Sequence, residues 1–280
     1  MSLLLPKILS ESAVLTRNII QGLHSTRFSG KGEAFWQFNE YRQGDTVSAI
    51  DWRKSAASEK FLVKERENET CRDVYFYFDR SKSMKFKSSD KIYSKYYISV
   101  LITLTLSKIF LRNRENVYYF NKKRVPEKCK HDLSNFNETF LLEEIENNLP
   151  ETSYIRENSL IFILSDFFYD NKLLINFFNK IKHKNTLGYF IQILDPLEIK
   201  FDISENLRLN DMETNRSIIV DDNNVIRKQY LNNLENLKKN LRKLSNTSNW
   251  NYLFHDTRKP LKPFLIDIIK NLALDRDKIV

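Results

Sequence analysis

Asp79, Ser81 and Ser83 stand at alternate positions in "DRSKSM", directly after the apolar run "VYFYF". Residues two apart in an extended segment point the same way, so one carboxylate and two hydroxyls can converge on one point. Hard oxygen donors of this kind suit Mg2+ or Mn2+, which want six oxygens and retain waters. A second apolar run, "LIFILS", ends in Asp166 and would add a carboxylate from a neighbouring strand. The expected metal ligands are therefore Asp79, Ser81, Ser83 and Asp166, with no catalytic residue among them. Neither Cys nor His belongs to the set, which points away from zinc, copper and iron. The competing reading is structural, because Asp and Ser after a strand also cap the next turn.

The elements that must position these residues alternate along the chain from about residue 71. Short β-prone runs lie at Val74–Phe78, Asn116–Phe120, Leu160–Leu164, Gly188–Leu194 and Trp250–Phe254. Longer helical stretches lie near Lys91–Arg112, Asn137–Asn148, Asn171–Lys184, Asn224–Ser245 and Lys262–Leu272. Strand–helix alternation with near-continuous apolar strands predicts an α/β fold, with a doubly wound, mostly parallel sheet and helices on both faces. In such sheets ligands bind beyond the carboxyl ends of the strands, where Asp79 and Asp166 fall. "LIFILSD" reads as a central strand, while the Tyr/Phe alternation of "VYFYFD" would also fit an edge.

Residues 1–70 read differently from 71–280. Gly22, Gly30, Gly32 and Gly44 fall early and only Gly188 lies beyond. The early segment therefore needs backbone angles that the rest does not. It is expected to hold a helix near Ser10–Gly22, with Gly22 as its C-cap, and then a turn-rich stretch. In "EYRQGDTVSAIDWRKSA", Ile50 and Trp52 are expected to bury, and Asp45 or Asp51 to pair with Arg42 or Arg53. "KFLVKERENE" reads as a strand added to the sheet edge, with Glu65, Glu67 and Glu69 as a charged row.

Composition narrows the function classes. The 280 residues are 41% hydrophobic, enough apolar surface to exclude intrinsic disorder. No apolar run approaches the roughly 18 residues of a membrane span. "MSLLLPKIL" lacks the charge and long apolar core of a secretory leader, so the expected compartment is the cytoplasm, with Cys71 and Cys129 reduced. The net charge of +9 includes a helix face of Lys238, Lys239, Arg242 and Lys243 between leucines. Nucleic acid would favour such a stripe, but no aromatic-interleaved basic segment accompanies it, so a solvated face is the simpler account.

"YFDRSKSM", a long helix and "IFILSD" together resemble a von Willebrand factor A-type domain with its metal-ion-dependent adhesion site. "GKGEAFWQFNEYRQGDTVSAIDWRKSAASEKFLVKERENET" resembles the signature of the bacterial domain of unknown function 58 family, whose core is von Willebrand A-like. The matching positions include Gly30, Gly32, Glu33, Phe35, Tyr41, Gly44, Asp45, Ile50, Asp51, Trp52, Ser55, Ala56, Val63 and Glu65. "ILDPLE" (Ile193–Glu198) is similar to the family as well. The chain departs from the pattern at Asn39, Ser48 and Ala57, where the family often carries arginines. Animal adhesion motifs end Asp-Gly, whereas Asp166 precedes Phe167. The middle threonine of the motif has no clear counterpart, Ser134 and Thr139 being the candidates.

The resemblance implies a non-enzymatic interaction module that serves as an adaptor or co-chaperone for a MoxR-type AAA+ ATPase and a client protein. A metal with an open coordination position would capture a carboxylate of the partner. No Gly-rich phosphate loop is present, so ATP hydrolysis would belong to the partner. The alternative is a metal-dependent phosphoester hydrolase with Asp79 as nucleophile or ligand. That chemistry would need more carboxylates and a general acid, and only Asp166 and Asp170 lie near in sequence. Nucleic-acid binding ranks third.

Overall fold

A computed structural model describes residues 4–25, 36–41, 50–56, 60–66, 71–130, 133, 136, 148–201, 208–210, 217–219, 223–247 and 249–275. In chain order the helices and strands are α1 (Leu4–Ser25), β1 (Trp36–Glu40), α2 (Trp52–Ser55), β2 (Leu62–Arg66), β3 (Asp73–Phe78) and α3 (Lys95–Arg112). They continue with β4 (Asn116–Phe120), β5 (Pro126–Lys128), β6 (Leu160–Ser165), α4 (Asn171–Ile181), β7 (Leu187–Leu194) and α5 (Pro196–Lys200). The last are β8 (Arg208–Asn210), β9 (Ser217–Ile219), α6 (Asn223–Asn246), β10 (Trp250–Asp256) and α7 (Leu261–Asp275). The chain divides into two compact units, one of residues 20–71 and one of 1–19 with 72–280.

The larger unit is built on a six-stranded sheet in the order β10-β7-β6-β3-β4-β5. Every pairing is parallel except that of β5 with β4. The α/β class and the mostly parallel sheet agree with the apolar strand pattern. β3 is not an edge strand: it pairs with β6 on one side and β4 on the other. Its Tyr/Phe alternation instead serves two buried faces. Tyr75 and Tyr77 join a cluster with Ile161, Ile163, Phe190, Phe178, Leu241 and Trp250. Phe76 turns the other way and stacks on Phe162 at 4.8 Å, with Phe110 of α3 at 6.2 Å.

The helix α3 is buried almost all round, as its apolar sequence requires. Ser94 caps it by accepting a hydrogen bond from Tyr97 N, which moves its start from Lys91 to Lys95. One side packs on the sheet and α1 covers another. Tyr97 Oη donates to Glu11 Oε2 at 2.8 Å, and Lys108 Nζ donates to Ser12 Oγ at 2.6 Å. α1 begins before Ser10 and runs through Gly22, so Gly22 is an interior helix residue and not a C-cap. Pro6 is tolerated because it falls in the first turn, where backbone N–H groups have no intrahelical partner.

In the smaller unit, β1 and β2 form their own antiparallel pair, so the "FLVKER" strand does not extend the main sheet. Asp51 Oδ1 accepts from Arg53 N and begins the short helix α2. Ser55 Oγ accepts from Leu62 N at 2.9 Å and ties α2 to β2. Trp52 is 59% exposed and meets the equally open Phe61 edge-on at 6.1 Å. The expected burial of Trp52 is thus not what the structure shows; Val63, on β2, takes the buried position instead. Gly30, Gly32, Gly44 and Asp45, and the expected helix at Asn137–Asn148 apart from Asn148 itself, lie outside the described residues.

Candidate functional site

β3 and β6 are adjacent and parallel, so the residues that follow them emerge at the same sheet edge. Asp79 N donates to Leu164 O at 2.8 Å, which extends the pairing to the strand tips. All four residues expected to bind a cation meet there. Asp79 Oδ1 accepts from Ser81 N at 2.8 Å, the Ser81 and Ser83 hydroxyls are 3.1 Å apart, and Ser83 Oγ donates to Asp166 Oδ2 at 2.9 Å. Asp170 does not join them: it caps α4 by accepting from Lys172 N. Ser134 and Thr139 lie outside the described residues.

The carboxylates are committed inside the protein. Asp79 Oδ2 accepts from Ser165 Oγ and from Tyr169 Oη, each at 2.7 Å. Burial, reinforced by the nearby Asp166 charge, pushes the Asp79 carboxyl above its ordinary range, against the pull of these hydrogen bonds. Asp166 Oδ1 accepts from Phe168 N at 3.1 Å. Its other oxygen receives Lys95 Nζ at 2.9 Å, and both side chains are fully buried. Lys95 Nζ also pairs with Glu198 Oε1. Burial alone would lower the Lys95 pKa, but the Asp166 and Glu198 carboxylates override it and hold the ammonium above its usual value.

Sequence reasoning missed Lys95 and Glu198. Glu198 is aimed by local structure. In "DPLE", Asp195 caps α5 and Glu198 Oε2 accepts from Asp195 N at 2.9 Å, a capping box with Pro196 in the first turn. The box turns the other Glu198 oxygen to Lys95. Asp195 Oδ2 also accepts from Ser88 N at 2.9 Å, which ties the loop after β3 to the end of β7.

Phe167, directly after Asp166, adopts a backbone that glycine favours, with φ at 63°. A left-handed conformation costs a side-chain-bearing residue roughly 1–2 kcal/mol. Full burial of the ring against Phe190 offsets that cost. At the kink Phe167 N donates to Ser165 Oγ and Phe168 N donates to the Asp166 carboxylate. Such strain concentrates where geometry matters to function.

The donor set does not fit a divalent cation as it stands. Among the described residues no three His, Cys, Asp or Glu side chains gather as metal ligands. A dication bound to Asp166 Oδ2 would sit within about 5 Å of the Lys95 ammonium. Repulsion at that distance is about 7 kcal/mol at an effective dielectric of 20.

His255, near the carboxyl end of β10, is 2% exposed and packs at a tilt against Phe264 at 4.7 Å. Burial lowers its pKa to about 4, Asp256 opposing and Lys259 adding to the shift. It is neutral in the folded protein at pH 7. Because the unfolded chain takes the proton more readily, His255's contribution is full above pH 6.5 and is lost as the pH falls toward 4. The difference in unfolding free energy between wild type and His255→Gln is expected to shrink over that window, by on the order of 2–3 kcal/mol. Urea titrations of both proteins at pH 7 and pH 4.5 measure it.

The architecture is an open α/β domain whose polar cluster sits at the carboxyl ends of adjacent parallel strands. Within that class the chain is a member of one family: the model described as protein of unknown function DUF58 matches residues 37–240, and the chain belongs to it. No curated protein matches the chain. No helix among the described residues is long and apolar enough to cross a membrane.

Proposed function

We propose that this chain is a non-enzymatic protein-interaction module, an adaptor or co-chaperone that docks an AAA+ ATPase of the MoxR type through the carboxyl edge of its sheet. The von Willebrand A-like resemblance supports the partner class. The observation that carries the reading is the contrast between the interior and the rim of that edge. Inside, the carboxylates are locked to donors of the same chain. Outside, Lys82, Lys85 and Lys91 after β3, Lys122 and Lys123 after β4, and Lys259 after β10 are exposed. Among the described residues of these strand-end loops the exposed carboxylates are Asp90, paired with Lys87, and Asp170, the α4 cap. A basic rim over a rigid centre suits an acidic protein surface, speeding encounter and fixing register.

The test is binding of the purified chain to a purified MoxR-type ATPase from the same source. Lys82→Glu with Lys85→Glu and Lys122→Glu is expected to weaken binding at least about tenfold, mostly in the association rate, and the wild-type interaction should weaken with salt. Absence of binding, or binding indifferent to the three charges, defeats the proposal. Phosphoester turnover lost in Asp79→Ala would support the hydrolase instead.

A further inference from the structure

We infer that the Lys95 ammonium is the resident cation of the Asp79, Ser81, Ser83 and Asp166 cluster, so the cluster holds its geometry without a divalent metal. The inference concerns the cluster alone and stands whether or not the partner is an ATPase.

The hydrogen bonds form one connected network in which the carboxylates accept from both sides. Ser83 Oγ donates to Asp166 Oδ2, so the Ser81 hydroxyl is left to donate to Ser83. Lys95 Nζ donates to the same Asp166 oxygen and to Glu198 Oε1. Glu198 Oε2 closes the network by accepting from Asp195 N. A cation that gathered hydroxyls and a carboxylate would do the same organising work, drawing oxygen atoms from β3, β6 and α5 to one point. Here a positive charge on the chain itself supplies it.

Where the lysine stands adds a second argument. Lys95 is the first residue of α3, and the positive end of a helix disfavours a cation. Full burial disfavours it further, because an ammonium leaves water only when paired. Two opposed penalties at one residue require compensation, and Asp166 and Glu198 provide it. The Lys95 ammonium also lies over the Phe168 ring, 5.8 Å from its centroid. The motif's oxygen donors are therefore retained while their charge is balanced from within.

Thermal unfolding decides between a lysine and a metal. Wild type is expected to shift by less than about 1 °C between chelator and 10 mM MgCl2 or MnCl2 at matched ionic strength. A site with a dissociation constant near 0.1 mM would raise the midpoint by roughly 4–5 °C over that range. Such a rise, abolished in Ser81→Ala, overturns the inference. Lys95→Ser is expected to lose roughly 10 °C without metal and to regain several degrees in MgCl2, because Asp166 and Glu198 are then left without their cation. A Lys95→Ser protein as stable as wild type, or one that folds and ignores both metals, also overturns it. Should Lys95→Ser not fold, the wild-type titration gives the answer by itself.

Discussion

Asp166→Ala is expected to cost about 3–5 kcal/mol of folding stability, measured by urea unfolding at pH 7. The substitution leaves the buried Lys95 ammonium with Glu198 as its remaining counter-charge, and it removes the acceptor of Ser83 Oγ and Phe168 N. Coulomb attraction in the interior does not by itself make this pair stabilising, because both charges were desolvated to form it. What the structure does fix is the asymmetry: losing one member strands the other. A cycle with Lys95→Gln separates the two effects. Asp166→Asn with Lys95→Gln is expected to cost clearly less than the sum of the single changes, since the double variant buries no unmatched charge from the pair. The loss should change little between 0.05 and 0.5 M NaCl, because a fully buried pair is poorly screened. Additive costs, or a cost below about 1 kcal/mol for Asp166→Ala, would mean that the lysine finds water or another partner.

The strand tips were legible in the sequence because local pattern determines them. "VYFYF" and "LIFILS" are apolar without interruption, so both belong in a buried parallel sheet, and an aspartate ending each must emerge at the same edge. What bound Asp166 was less legible, since Lys95 and Glu198 arrive from α3 and α5, distant in the chain. One signal was available. Lys95 opens a helix otherwise apolar on nearly every face, and a lysine there is almost never buried without a paired carboxylate. β5 carried no comparable signal: three residues, Pro-Glu-Lys, pair antiparallel at the sheet edge, where neither alternation nor apolar content is required. The basic stripe on α6 was half legible. Its leucines do face inward, with Leu234 and Leu241 buried. Lys238 and Arg242, however, lie over the rings of Phe254 and Tyr252, so they cover β10 with their stems as well as meeting solvent.

Gly188→Ala is expected to destabilise the protein by about 3 kcal/mol, for a reason that also explains why a glycine survives in a strand buried along its whole length. Gly188 and Trp250 are direct partners in the β7–β10 pairing. A Cβ on residue 188 would lie 2.0 Å from Trp250 Cδ2, far inside contact distance. The ring has nowhere to move, because Phe190 at 4.6 Å and Phe178 at 5.8 Å enclose it. Elsewhere in a strand the same substitution would help slightly, by reducing the freedom of the unfolded chain. Overpacking here outweighs that gain. Trp250→Ala alone should cost about 3–5 kcal/mol through the cavity it leaves. Combining Gly188→Ala with Trp250→Leu should recover part of the loss, since the smaller side chain leaves room for the added methyl. If the double variant is no more stable than Gly188→Ala, the clash lies in the strand backbone and not in the ring, and β7 and β10 must be separating.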